Sequence, residues 1–495
     1  MKKIFASILL GCAVFAFASC DLDLYPVTSY NEGNVEVEED SGNQYSTRAD
    51  MEGLRNSIYS SWMKDVQEKD LCDWLIYTEV HADNAYCGSP TTGEILAVQQ
   101  NTQDSDNKNV KRDWDWYLGQ VSNANQIICN IDAIAGSDGS MTSAEHDQWK
   151  SEALIWRAYI LFKMTYIWGD VPVVTTIPPA ITAENIEEVY DAYFPVRKPI
   201  GEVFDQIIED LEYAAAHAPE VNASNKMLLS KAVANGLLAR VYAEKTRRDW
   251  GKVAYYCQKV EDEGFSLTER YGDLWAYDDD DAARNTSESI LEVTWSRSSG
   301  NWVWMMFHRN AYNPEDSYSW QKWVTPSRDL VAAYDAAGDT ERKNASIVFD
   351  KCGWSTYWPA DNYAFMHKMP TNASSWIMMR LGEIYLLHAE ALVMNGDAAG
   401  ATVYVNRIRK RAGLPELATV TIDDVLRERR LELAFEGFRF YDLVRHDKAL
   451  EVFNAVDDKD PYWGNRSELT AETCLMPVSQ TAMDNNPSLE QNEGY

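Results

Sequence analysis

The chain has 495 residues, 45% of them hydrophobic, and 77 Asp and Glu against 45 Lys and Arg give a formal net charge of −32. Nucleic acid and anionic lipid headgroups are repelled by that balance, and the length exceeds one usual core, so two domains or an extended helical array is expected. Eight cysteines without a C-x-x-C pair disfavour a zinc site or a disulfide framework, although a single bridge such as Cys72 with Cys87 stays open.

Lys2 and Lys3 precede the apolar run from Ile4 to Phe17, and Phe17-Ala18-Ser19-Cys20 follows. A basic end, a short apolar stretch and small residues form a secretion signal over 1–19, too short to span a bilayer. The last four residues look like a bacterial lipobox, so Cys20 is the expected lipidation site and mature first residue. Several acyl chains there would hold a soluble domain firmly. Residues 20–50 are polar and acidic and read as a tether and N-terminal extension; 51–495 reads as one domain.

Helices are expected from Met51 to Lys64, Trp114 to Ile134 and Ser143 to Trp168, the last with Trp149, Ala153, Trp156, Ile160 and Met164 on one stripe. Ser143, Glu145 and Asp147 give that helix an acidic, capped start, and Gly169 with Pro172 ends it. Pro199 to Ala218, Leu228 to Arg247 and Trp250 to Gly264 follow. From 265 to 375 the pattern changes to one strand-like run, Ser289 to Trp295, within long irregular sequence punctuated by Pro314, Pro326, Pro359 and Pro370.

Periodicity returns at Trp376. Ile377, Leu381, Ile384, Tyr385, Ala389 and Leu392 fall three and four apart, Asn395-Gly396-Asp397 breaks the helix, and a second runs from Ala398 to Arg411. A turn so tight makes the two antiparallel, with Ala389, Ala391, Ala398 and Ala401 admitting close approach. The fold class expected is mainly α: a tetratricopeptide-like helical repeat scaffold (about 51–264 and 376–446), a loop-rich, strand-poor lobe (about 265–375) carrying the ligand site, and a tail over 447–495. Between Asp423 and His446, Glu428, Glu432 and Glu436 recur four apart among five arginines. That spacing reads as an ion-pair lattice over a buried apolar stripe rather than an acid/base array.

Several of these stretches carry a family resemblance. MRLGEIYLLHAEALVMNGD, VNRIRKRAGLP and RERRLELAFEGFRFYDLVR resemble the C-terminal half of the SusD/RagB family. EALIWRAYILFKMTYIWGDVPVV, LLSKAVANGLLARVYAEKTRRDWGKVAYYCQKV and the ending with Pro477, Asn486-Pro487 and Gln491 to Tyr495 extend it. The resemblance implies an outer-membrane, surface-exposed nutrient-binding lipoprotein, held to the membrane only through Cys20. Its implied role is to capture oligosaccharides or polysaccharides and deliver them to a SusC-like TonB-dependent transporter. A peptide-binding, RagB-like role and a surface glycoside hydrolase are the alternatives.

No H-E-x-x-H, G-x-S-x-G, P-loop or dinucleotide glycine pattern occurs, so no catalytic residue is nominated and no enzyme is expected. No cofactor is expected either; Asp278 to Asp281 offers oxygen ligands for a structural calcium, against the plainer reading of a solvated acidic loop. The aromatic residues of the lobe are the main functional signal, because a sugar presents a C–H face that lies flat on an indole or phenol while its hydroxyls need polar partners. The expected ligand-binding set is Tyr86, Asp83, Trp302, Trp304, Tyr312, Asn313, Tyr318 and Trp320, with Asn301 and Asn310 as further polar partners.

Overall fold

A computed structural model describes residues 45–495 apart from 89–92, 183, 279–280, 308–321, 353–356 and 456–459. The principal helices are α1 (Arg48–Asp65), α2 (Lys108–Ser137), α3 (Ser143–Trp168), α4 (Ile200–His217), α5 (Lys231–Ala243) and α6 (Trp250–Glu261). Within the lobe lie α7 (Arg328–Ala337) and α8 (Thr340–Ser346), and after it come α9 (Leu381–Met394), α10 (Ala398–Arg411), α11 (Ile422–Glu432) and α12 (Arg439–Arg445).

Each helix of the scaffold packs on the next: α2 on α3, α3 on α4, α4 on α5 and α5 on α6. The row then passes directly to α9, which lies against α6, α10 and α11. More than one hundred residues are therefore inserted between two helices that are neighbours in space, and nearest-neighbour stacking holds the solenoid together across the insertion. The hairpin of α9 and α10 turns at Gly396, whose φ of +86° suits glycine, and Asp397 caps α10 through the Gly400 N–H at 2.8 Å. Ala389 and Ala401 are fully buried at its contact with Leu386, Val405 and Ile408.

Local chemistry sets the helix ends. Thr142, rather than Ser143, caps α3: its hydroxyl accepts from the Glu145 N–H while Glu145 accepts from the Thr142 N–H. At the other end Gly169 adopts φ +74°. The tail folds back here, and the Asn492 amide donates to the carbonyls of Trp168 (3.1 Å) and Met476 (2.7 Å).

Among the described residues the lobe is built on three two-stranded antiparallel sheets, two of them shared with flanking segments: β1 (Ala85–Tyr86) with β3 (Thr325–Pro326), β2 (Ser289–Val293) with β6 (Trp376–Arg380), and β4 (Ile347–Asp350) with β5 (Tyr363–Met366). Trp376 and Ile377 thus lie in a strand and not at the start of a helix. All five residues of β6 are buried, and a partner strand that takes the backbone hydrogen bonds of a segment buried on both faces overrides its helical spacing. The helix begins only at Leu381, after Arg380 in extended conformation. Cys72 and Cys87 are separate buried thiols.

Candidate functional site

The acidic residues of the last charged segment are drawn together first. α11 stops at Glu432, and Phe435 (φ +64°) and Gly437 (φ +84°) turn the chain, so Glu436 is off the helix yet joins the same cluster. Arg380 donates to Glu432 (2.7 Å), Glu436 (2.7 and 2.8 Å) and Glu288 (2.8 Å). Arg342 bridges Glu428 (2.6 Å) and Glu432 (3.1 Å), Arg411 reaches Glu288 and Glu432, and Lys368 holds Glu436 at 2.6 Å. Although burial alone raises a carboxyl pKa, Arg411, Arg380 and Arg342 hold that of Glu432 far below the usual range. Glu432 and Glu436, so compensated, keep their charge and position the chain. They are a keystone, joining β2, β6, α8, α10 and α11.

The lobe stands beside this keystone. Asp83 and Tyr86, expected at the ligand, are both committed to the protein. Asp83 is 3% exposed, accepts from Arg439 at 2.6 and 2.8 Å and pairs with Arg430 at 3.1 Å. Tyr86 is fully buried, stacks on Tyr357 (4.8 Å between centroids, 8° between planes) and leans on Trp463 at 4.7 Å. Its hydroxyl donates to Asp460 and accepts from the Arg328 N–H at 3.0 Å. Trp304 is 8% exposed, and the Asn301 amide is spent on the carbonyls of Asn372 (3.1 Å) and Ser374 (2.9 Å). Trp302 is half-buried, set edge-to-face with half-buried Trp323 at 6.2 Å. Asn310, Tyr312, Asn313, Tyr318 and Trp320, like Cys20, lie outside the described residues, as do Asp279 and Asp280 of the proposed calcium loop. Among the described residues no group of three metal-ligating side chains forms.

Three residues absent from the expected set make the accessible face. Tyr357-Trp358-Pro359 and Pro461-Tyr462-Trp463 are aromatic pairs beside proline. In each, one ring turns in and its neighbour out: Tyr357 and Trp463 both pack on the buried Tyr86, while Trp358 is half-buried and Tyr462 is 41% exposed. The second pair is fixed by Asp460, which accepts from the Tyr462 N–H at 3.0 Å as well as from Tyr86. Trp358 Nε1 donates to the Pro326 carbonyl at 2.9 Å. Arg328, just beyond β3, lies with its guanidinium 4.5 Å from the Trp358 ring centroid and 3.9 Å from that of Tyr462. The result is a rigid rim of two rings and one cation on a fully packed aromatic base. Such a rim stacks on flat apolar faces and donates hydrogen bonds at its edge. The signal in the sequence is proline-flanked aromatic doublets, not clustered aromatics as such.

Comparison with known proteins places this architecture. Residues 354–495 match the SusD family, and residues 35–243 match a family described as starch-binding and associating with the outer membrane. A SusD-like protein of Bacteroides ovatus is 28% identical over 394 residues, covering 70% of this chain and 68% of its own. Surface glycan-binding protein A from Bacteroides fluxus superposes with a TM-score of 0.74 at 21% identity, over 91% of this chain and all of its own. A laminarin-binding SusD-like protein superposes at 0.71 and 22% identity, again over 91% and 100%. The chain belongs to the SusD-like family.

Proposed function

We propose that this protein is a cell-surface lipoprotein that captures oligosaccharides or polysaccharides and delivers them to a SusC-like TonB-dependent outer-membrane transporter. The observation that carries the binding half is the outward pair Trp358 and Tyr462 flanking Arg328, held by the buried stack of Tyr86, Tyr357 and Trp463. Rigid rings lose little entropy on capturing a sugar face, and the packed base pre-organises them. Half-buried Trp302 extends the same lobe, and Tyr312, Asn313, Tyr318 and Trp320 remain part of the proposed ligand set. The glycan- and laminarin-binding relatives support the ligand class, and the matched family's outer-membrane description supports the location. Cys20 supplies the anchor in this reading.

The proposed mechanism is capture, with no bond broken. The carboxylates gathered in the keystone, Glu288, Glu428, Glu432 and Glu436, are paired with arginine and lysine and buried away from solvent. Isothermal titration of the purified protein against a panel of glycans, with a parallel assay for new reducing ends, tests both points. Heat of binding without new ends is expected. Silence across the panel overturns the ligand class, and new reducing ends overturn the non-enzymatic reading. Co-purification with the transporter from solubilised membranes tests the partner; its loss on Cys20→Ala would follow from release of the anchor, whereas an intact membrane fraction after that substitution would overturn the lipid assignment.

A further inference from the structure

Arginines inside this protein are almost always spoken for. Arg342, Arg380, Arg411, Arg429, Arg430, Arg439 and Arg445 each meet a carboxylate within 4 Å. Arg466, which also stacks on rings (Trp463 and Phe453), spends its donors on the carbonyls of Gln99 and Ala82. Arg328 differs. Among the described residues no carboxylate pairs with its guanidinium, which is held by two rings instead; one nitrogen, Nη1, is buried without a hydrogen-bond partner, as single nitrogens of Arg342, Arg411, Arg429 and Arg445 also are. The two acids nearest along the chain and the rim are taken: Asp329 pairs with Arg430 at 2.6 Å, and Asp460 serves Tyr86 and the Tyr462 N–H.

Geometry gives the free cation a direction. Trp358 and Tyr462 lie against the guanidinium and its side chain also approaches the buried Tyr86 hydroxyl, so the in-plane N–H donors directed away from Tyr86 are what remains for a ligand. An edge held between rings is pre-organised for the planar fork of a carboxylate or the oxygens of a sulfate, and a guanidinium gives up hydration water more readily than an ammonium does. The same two rings stack on sugar. Building on the glycan-capture reading above, we infer that the site selects glycans bearing an anionic oxygen group, a uronate carboxylate or a sulfate ester, and that Arg328 is the residue that recognises it. The net charge of −32 does not oppose this at contact range, because charges more than about 8–10 Å away are largely screened at physiological ionic strength.

Titration of the full chain with four probes tests the inference: oligogalacturonides, their carboxyl-reduced neutral counterparts, sulfated carrageenan oligosaccharides, and the same after desulfation. At least one acidic probe binds about tenfold or more tighter than its neutral partner, the scale of one charge-assisted hydrogen-bonded pair. Arg328→Gln brings that ratio close to one. Arg328→Lys, which keeps the charge but loses the fork, retains an intermediate ratio and controls for folding. Which pair shows the preference tells uronate from sulfate. Equal affinity within both pairs, or a ratio unchanged in Arg328→Gln, overturns the inference and leaves glycan capture standing. Failure of the unaltered protein to bind any glycan, neutral ones included, overturns both.

Discussion

Arg380, the last residue of β6, donates from Nη1 to the side chain of Glu432, the last residue of α11, at 2.7 Å, and from Nη2 to its carbonyl at 2.9 Å. One guanidinium thus ties the end of a sheet to the end of a helix 52 residues later, and both partners are almost wholly buried. Such a pair gains little over apolar packing when intact, because desolvation offsets attraction, but it is costly to halve. Replacing Glu432 by Gln leaves Arg380, Arg342 and Arg411 short of a countercharge in the interior. A loss of about 3–5 kcal/mol in unfolding free energy is expected from urea denaturation. A change below about 1 kcal/mol would show the cluster to be wetter or more adaptable than its burial implies.

Binding and stability separate cleanly within the aromatic lobe. Tyr462 is exposed and Tyr86 is buried, yet they share Asp460. Tyr462→Ala removes a stacking face and leaves the core untouched, so glycan affinity falls about tenfold with the melting temperature nearly unchanged. Tyr86→Phe keeps the stack on Tyr357 but leaves a buried carboxylate oxygen of Asp460 and the Arg328 N–H without their hydroxyl partner. It costs about 1–3 kcal/mol of stability. Calorimetric titration beside thermal melts distinguishes the two, and the reverse pattern would move the ligand to the other side of the stack.

The helical scaffold was legible because its signals are local. Ala398 to Arg411 and Ser143 to Trp168 have the same limits in the fold as in the periodicity, with Gly413 and Gly169 supplying the stops. β6 was not, since Trp376 to Met379 is apolar on every face and only its partner, Ser289 to Val293, decides between strand and helix. α7 was missed although its marks are present: Ser327 caps the Leu330 N–H, Leu330 and Tyr334 are buried four apart, and Gly338 closes it at φ +67°. The site was only half legible. Composition pointed to aromatics in the lobe, but whether a ring faces inward is settled by long-range partners, as when Asp83 meets Arg439 from 356 residues away. Arg328 had no sequence signature, because its meaning comes from rings 30 and 134 positions later.

Gly437 tests how tightly the keystone turn is built. Its φ of +84° disfavours any L side chain, and a Cβ there would meet Trp74 Nε1 at 2.2 Å. Glu79 receives the N–H groups of Gly437 and Phe438 at 2.9 and 3.2 Å, so the turn cannot shift without breaking a buried acceptor's bonds. Gly437→Ala is expected to destabilise by more than about 1 kcal/mol, beyond the ordinary cost of the left-handed region, and to lower the yield of folded protein. A melting temperature equal to that of the unaltered chain would mean that Trp74 has room to move.

Glu244 gives the protein a pH-dependent weakness. It lines a cavity of about 100 Å³ with Tyr166, Phe204, Phe440 and Cys474, and its Oε1 is buried without a hydrogen-bond partner. Burial pushes its carboxyl up to about 7, against the pull of Arg445. The folded state therefore holds a proton that the unfolded chain releases near its ordinary value of 4.5. The favourable contribution is fully present below that value and is lost as pH rises through 7. Glu244→Gln, which keeps the shape and removes the charge, should melt above the unaltered protein at pH 8, with the advantage shrinking steadily to nothing near pH 4. Melts across that window check the sign directly: an advantage that grew on acidification would mean that Glu244 is ionised and paired with Arg445 in the folded protein.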